Sequence, residues 1–208
     1  MSTSFIFQPH VHEREAVVTP DVLIDELCVA VVSGARIEIV PVPIDRLTMD
    51  NGFQVAASGT TADAAVVLVG AGSGTLIGIA SDHRKADDPT GRLACAKPVC
   101  REVWRLADVV GHVERLVMRA TAMAGDRTTT LQEGALGDWL PIDTVIAAVA
   151  RGPEIPSGLA VLCTGLVPTD PSGASEFEIA IEDPVLDRRI AHRYGCHMLA
   201  DPRTADPI

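Results

Sequence analysis

Short apolar runs, each closed by glycine, proline or Asn-Gly, set the pattern of the chain from Arg36 onward. Residues 37–42, 53–57, 64–69 and 75–80 are rich in β-branched side chains, and this length and punctuation predict strands. Residues 116–121 and 128–131 flank Gly125-Asp126, the signature of a hairpin, and 159–163, 177–181 and 189–194 resume the strand pattern. Two segments read as helices. In the first, Thr19 caps, Pro20 suits the opening turn, Val22, Leu23, Leu27 and Val31 follow helical spacing, and Ser33-Gly34 supplies a stop, which predicts a helix of about 14 residues. The second runs through 138–150. The strands are too many and too close for regular βαβ alternation, so a doubly wound sheet is disfavoured. With no repeat or long linker, the expected organisation is a single α+β, β-rich domain. It comprises a strand and helix over residues 1–35, a core over 36–199 and a frayed tail over 200–208.

Composition narrows the function classes. Of 208 residues, 47% are hydrophobic and 22% charged, enough to bury one sizeable core. No apolar stretch reaches the roughly 18 residues that a membrane helix needs, and the N-terminus lacks a basic, then apolar leader. The expectation is a soluble, cytoplasmic protein. Twenty-eight acidic against 17 basic residues give a net charge of -11, which disfavours partnership with nucleic acid or an anionic membrane. Cys28, Cys95, Cys100, Cys163 and Cys196 are odd in number and contain no C-x-x-C pair, so they read as core thiols in a reducing compartment. The only lysines are Lys85 and Lys97.

Four constellations carry candidate chemistry. Gly70-Ala-Gly72-Ser-Gly74 follows a strand as a dinucleotide loop would, but the segment after it is a second strand rather than a helix and the spacing is G-x-G-x-G. A hairpin loop is the better reading, and no nucleotide cofactor is expected. His10-Val-His12, near Glu13 and Glu15, fits either part of a metal site or the polar edge of a strand. His112, His192 and His197 are isolated in sequence. Ser81-Asp82-His83-Arg84-Lys85 ends an apolar strand, where rigid scaffolds present functional groups: a carboxylate to hold a cation or water, an imidazole to move a proton. A solvated turn accounts for the same residues equally well.

Read in order, three stretches resemble the fumarylacetoacetate hydrolase-like superfamily and, within it, a small bacterial branch of unknown function. Asp82-His83 is followed by Cys95-Ala-Lys-Pro-Val99 and by Arg101-Glu-Val-Trp-Arg-Leu-Ala-Asp-Val109. Leu131-Gln-Glu-Gly134 precedes a helix, and Gly158-Leu-Ala-Val-Leu-Cys-Thr-Gly165 precedes the strand Phe177-Glu-Ile-Ala-Ile-Glu182. The resemblance spans roughly residues 36 to 199 and implies a mixed β-roll with a few flanking helices, usually a homodimer, with the active site in the mouth of the roll. It also implies a divalent metal held by a Glu-x-Glu pair and a downstream aspartate. Asp82 matches that aspartate, but the pair falls at Asp63-Ala64-Ala65, which leaves one shortened ligand and one residue that coordinates nothing. The superfamily's arginine position holds Ala86, with Arg84 and Lys85 as neighbouring substitutes. Its lysine corresponds to Arg92 or Lys97. Gln132 and Thr164-Gly165 match residues that would hydrogen-bond a substrate carboxylate or carbonyl, and no lid His-Glu pair is recognised.

The function this implies is an enzyme acting on a small carbonyl acid or related acyl compound by hydrolysis, hydration, decarboxylation or enol-type isomerisation. In it Asp82 and His83 would be catalytic, and Gln132, Thr164, Gly165, Arg84, Arg92 and Lys97 would bind the small-molecule substrate. The expected cofactor is none, or weakly bound Mg or Mn through Asp82 and Asp63. A metal-free cyclase, dehydratase or isomerase of a specialised biosynthetic pathway, and a non-catalytic dimeric binding protein, remain open beside it.

Overall fold

The computed structural model describes residues 4–11, 20–55, 60–85, 91–169 and 174–199. In chain order the strands β1 (Phe5–Phe7), β2 (His10–Val11), β3 (Val22–Ile24), β4 (Glu26–Ser33) and β5 (Arg36–Val42) are followed by β6 (Leu47–Thr48), β7 (Gly52–Val55) and β8 (Thr60–Thr61). The hairpin β9 (Ala64–Ala71) and β10 (Gly74–Ser81) leads to β11 (Arg84–Lys85), helix α1 (Gly91–Ala94), β12 (Lys97–Arg105) and helix α2 (Leu106–Val109). A second hairpin, β13 (Val117–Ala124) and β14 (Arg127–Ala135), precedes helix α3 (Ile142–Val149), β15 (Leu159–Thr164), β16 (Glu176–Asp183) and β17 (Arg188–Met198).

Most of these strands form a large mixed sheet in the order β2-β12-β10-β9-β15-β4-β5, with β6 pairing β12, and a five-stranded sheet in the order β14-β13-β16-β17-β7, while β1 with β3 and β8 with β11 form two-stranded ribbons. Most neighbours are antiparallel, while β15 runs parallel to β4, β12 to β2 and β6, and β17 to β7. Alternation along β9 shows how the layers meet. Ala64, Val66 and Leu68 face one core with Met118, Ala120, Phe177, Ile179 and Ile190 of the second sheet. Ala65, Val67 and Val69 face a second core closed by Phe7, Val22 and Ile24. A strand covered on both faces reads as a continuous apolar run, which is why 64–69 carries no polar position.

The expected helix over the N-terminal segment is overturned: residues 22–33 form β3 and β4. The cause is burial on both faces. With β4 paired to β15 and β5, Leu27, Cys28, Val29, Ala30 and Val32 are all buried, and such a run fits helical spacing as well as extended spacing. Thr19, the expected cap, His12, Glu13, Glu15, Ala86 and the tail 200–208 lie outside the described residues. The glycine segment forms the β9–β10 hairpin, as expected, with the two strands antiparallel and Gly74 at φ +109. Gly70 has a packing reason as well: a Cβ there would lie 1.9 Å from the Pro156 carbonyl oxygen. The expected second helix is shorter, α3 at Ile142–Val149 behind a 3-10 turn at Leu136–Asp138. All five cysteines are buried and free.

Candidate active site

The register of the β9–β10 hairpin builds the site. Ser81 pairs with Ala64, so the next residues outward, Asp82 and Asp63, emerge side by side, and the Asp82 amide donates to the Asp63 carbonyl at 2.8 Å. Asp82 is fully buried between two cations: Lys97 Nζ stands 3.0 Å from Oδ1, and Arg92 Nε meets Oδ2. Lys97, at the start of β12, is itself fully buried and spends its ammonium on Asp82 and on the backbone carbonyls of His83 and Arg92. Burial lowers the Lys97 pKa, and the Asp82 carboxylate opposes that shift.

Asp63 is held in a different way. Gln132 Nε2 donates to its Oδ1 at 2.9 Å, and Arg84 Nε to its Oδ2 at 3.2 Å. The Gln132 amide also bridges sheets, accepting from Ala64 N at 2.7 Å and donating to Leu166 O at 2.6 Å. Burial pushes the Asp63 carboxyl up to about 6; the neighbouring Asp82 adds to the rise, while Gln132 and Arg84 oppose it. Asp63 therefore changes protonation near neutrality, which the sequence does not foretell.

His83 sits without exposure in an aromatic box, its ring 4.9 Å from Phe53, 5.4 Å from Phe177 and 5.9 Å from Tyr194. Burial, helped by the Lys97 charge, lowers its pKa to about 3, so the ring is neutral. Its Nδ1 lies 3.3 Å from the Tyr194 hydroxyl, which donates onward to Ser81 Oγ at 2.9 Å. Sequence reasoning missed Tyr194. The available signal was that it is the chain's only tyrosine and falls in a buried phase of an alternating strand.

Asp82, Asp63, Arg84, Arg92, Lys97, Gln132 and His83 are thus joined by direct contacts. Thr164 is buried at the end of β15, two residues before the Leu166 carbonyl that Gln132 holds. Gly165 packs under Trp139, where a Cβ would lie 2.5 Å from Cε3, and lines a separate cleft of about 950 Å³ that also includes His112. His10 is exposed on β2, while His112 is tied to Asp183 at 3.0 Å.

The donor set does not fit a divalent ion. Among the described residues no three histidine, cysteine or carboxylate side chains converge to hold one. Both Asp82 oxygens face cations, both Asp63 oxygens accept from Arg84 and Gln132, and Ala65 offers no ligand atom. Oxygen-rich coordination of Mg²⁺ or Mn²⁺ needs several such oxygens at once.

A family model described as "Protein of unknown function (DUF2848)" matches residues 18–194. The chain belongs to this family. No curated protein matches it in sequence. Among solved structures it is similar to 2-keto-3-deoxyarabinonate dehydratase (TM-score 0.63, 14% identity, 86% of this chain and 75% of that one). It is also similar to maleylpyruvate hydrolase from Sphingobium sp. SYK-6 (TM-score 0.62, 13% identity, 85% and 72%). A third is 2-hydroxyhepta-2,4-diene-1,7-dioate isomerase from Mycobacterium marinum (TM-score 0.61, 13% identity, 86% and 77%). The fold of the DUF2848 chain is therefore that of the fumarylacetoacetate hydrolase-like superfamily, as its motifs imply. The hydrolase structure contains manganese(II) and pyruvate, and one structure of the dehydratase contains magnesium and 2,5-dioxopentanoate.

Proposed function

We propose that this protein is an enzyme acting on a small carbonyl acid, in which fixed side-chain cations take the part that a divalent ion plays in the similar proteins. The observation that carries the reading is the pairing of buried Asp82 with both Arg92 and Lys97. Three cations, Arg84, Arg92 and Lys97, gather around two carboxylates, one of them held near 6. The balance favours an anionic guest. Preorganised cations in a water-poor site stabilise charge developing on an enolate oxygen. Asp63 is the group suited to move a proton at neutral pH, because an acid or base works best when its pKa lies near the operating pH. His83, being neutral, accepts a hydrogen bond rather than carrying the proton as the sequence suggests. Gln132 orients Asp63.

The decisive experiment is exchange of the α-protons of pyruvate, oxaloacetate and longer 2-oxo acids in heavy water, followed by proton NMR with and without EDTA. Exchange of at least one acid, unchanged by the chelator and lost in Asp63→Asn, is expected. Exchange that needs added Mg²⁺ or Mn²⁺ would overturn the metal-free reading. The ion pairing of Asp82 with Arg92 and Lys97 also favours a second reading, a binding protein that keeps the roll without catalysis. Saturable binding of the same acids with no exchange would establish that reading instead.

A further inference from the structure

His83 is held by contacts that determine which of its nitrogens carries the proton. Tyr194 has one hydroxyl proton and donates it to Ser81 Oγ at 2.9 Å. Its oxygen therefore faces His83 Nδ1, 3.3 Å away, only as an acceptor. A neutral imidazole has one N–H, so a proton on Nδ1 leaves Nε2 bare. Nε2 is buried and has no hydrogen-bond partner among the described residues. Phe53 and Phe177 meet the ring near right angles, with interplanar angles of 80° and 71°, and limit its reorientation. An acceptor buried in an apolar box without a donor is uncommon in folded proteins and points to a water or ligand that serves it.

We propose that Ser81 and Tyr194 form a relay that fixes His83 as the Nδ1–H tautomer, leaving Nε2 as the buried acceptor for a hydroxyl or enol O–H of the substrate. Ser81 and Tyr194 are positioning residues, because they act through His83. The ligand class follows from the surroundings. Asp63 already accepts from Arg84 and Gln132, and both Asp82 oxygens face the Lys97 and Arg92 cations, whereas Nε2 is the acceptor with no cation or donor against it among the described residues. The buried Lys97 ammonium, bonded to the His83 carbonyl, disfavours an ammonium there and leaves a neutral hydroxyl as the fitting donor. The identity of the ligand rests on the proposed function, whereas the tautomer rests only on these contacts.

Long-range proton–nitrogen correlation NMR of the full chain with isotope-labelled histidine reads the tautomer directly, with the His83 signals assigned by their loss in His83→Gln. Wild type is expected to show a protonated Nδ1 and a bare Nε2. Ser81→Ala frees the Tyr194 proton to donate to Nδ1, so the pattern should invert to Nε2–H. Tyr194→Phe keeps the ring packing and removes the acceptor, so both tautomers should appear. A wild-type spectrum with Nε2–H overturns the relay even if neither variant folds, and so does an unchanged pattern in both folded variants. Adding lactate should shift the Nε2 resonance, and propionate, which lacks the hydroxyl, should not. Equal shifts or none would overturn the assignment of the ligand. Because the tautomer is read without turnover, failure of the 2-oxo acid reaction leaves this result standing and the two failures stay distinguishable.

Discussion

At the scale of single residues, Asp63 is the most informative side chain of the site. A shortened carboxylate beside an alanine looks like the remnant of a metal site in sequence, but in the folded chain it is a buried acid held between Gln132 and Arg84. Its carboxyl rises from 3.8 to about 6, first because of burial. A raised carboxylate pKa means that the folded state binds the proton more tightly than the unfolded state. Stability should therefore fall as pH rises from about 4 to about 6 and level off above that. Urea unfolding of wild type at intervals across this window is expected to show that loss, and Asp63→Asn, which cannot ionise, should flatten it. An equal slope in both proteins would refute the assignment. Asp82, His83, Lys97 and Gln132 were legible because each stands in a motif of fixed order. Tyr194 was not, since its partner His83 is 111 residues away and only the packing of two sheets brings them together.

Among the elements, the same physics explains one error and one success. Residues 22–33 suggested a helix because a strand buried on both faces shows no clean alternation, and pairing with β15 and β5 decides between the two periods only after folding. The glycine-rich segment was readable because a hairpin needs only local information, two apolar runs and a turn between them. The structure adds what sequence could not supply, that Gly70 lies against the Pro156 backbone. Gly70→Ala should destabilise the fold by about 1–3 kcal/mol or more, since overpacking against rigid backbone is not relieved by a rotamer change. Gly72→Ala, which meets nothing within 4 Å, is the control and should stay within about 0.5 kcal/mol of wild type. Thermal unfolding of the two variants measures the difference, and equal melting temperatures would disprove the close approach.

For the whole molecule, the question is which surface is left for a partner. The outer face of the second sheet carries cross-strand ion pairs, Arg119 with Glu133 and Glu182, Arg189 with Glu178 and Glu182, and Arg193 with Glu176. Such exposed pairs contribute little to stability and suit a solvated face. The β1–β3 ribbon is different. Phe7, Val22 and Ile24 turn inward to close the second core, while Ile6 and Leu23, directly opposite each other in register, stand 57% and 53% exposed. The ribbon has only two strands, so its edges are unpaired among the described residues. An exposed apolar pair on a ribbon with open edges is a surface that suits a second copy of the chain. Light scattering at micromolar concentration should give twice the 21.9 kDa monomer mass. The double variant Ile6→Glu with Leu23→Glu should return the monomer while keeping its fold, because both side chains point away from the core. A wild-type mass near 21.9 kDa would reject self-association. A dimer that survives the double substitution would place the contact on another face.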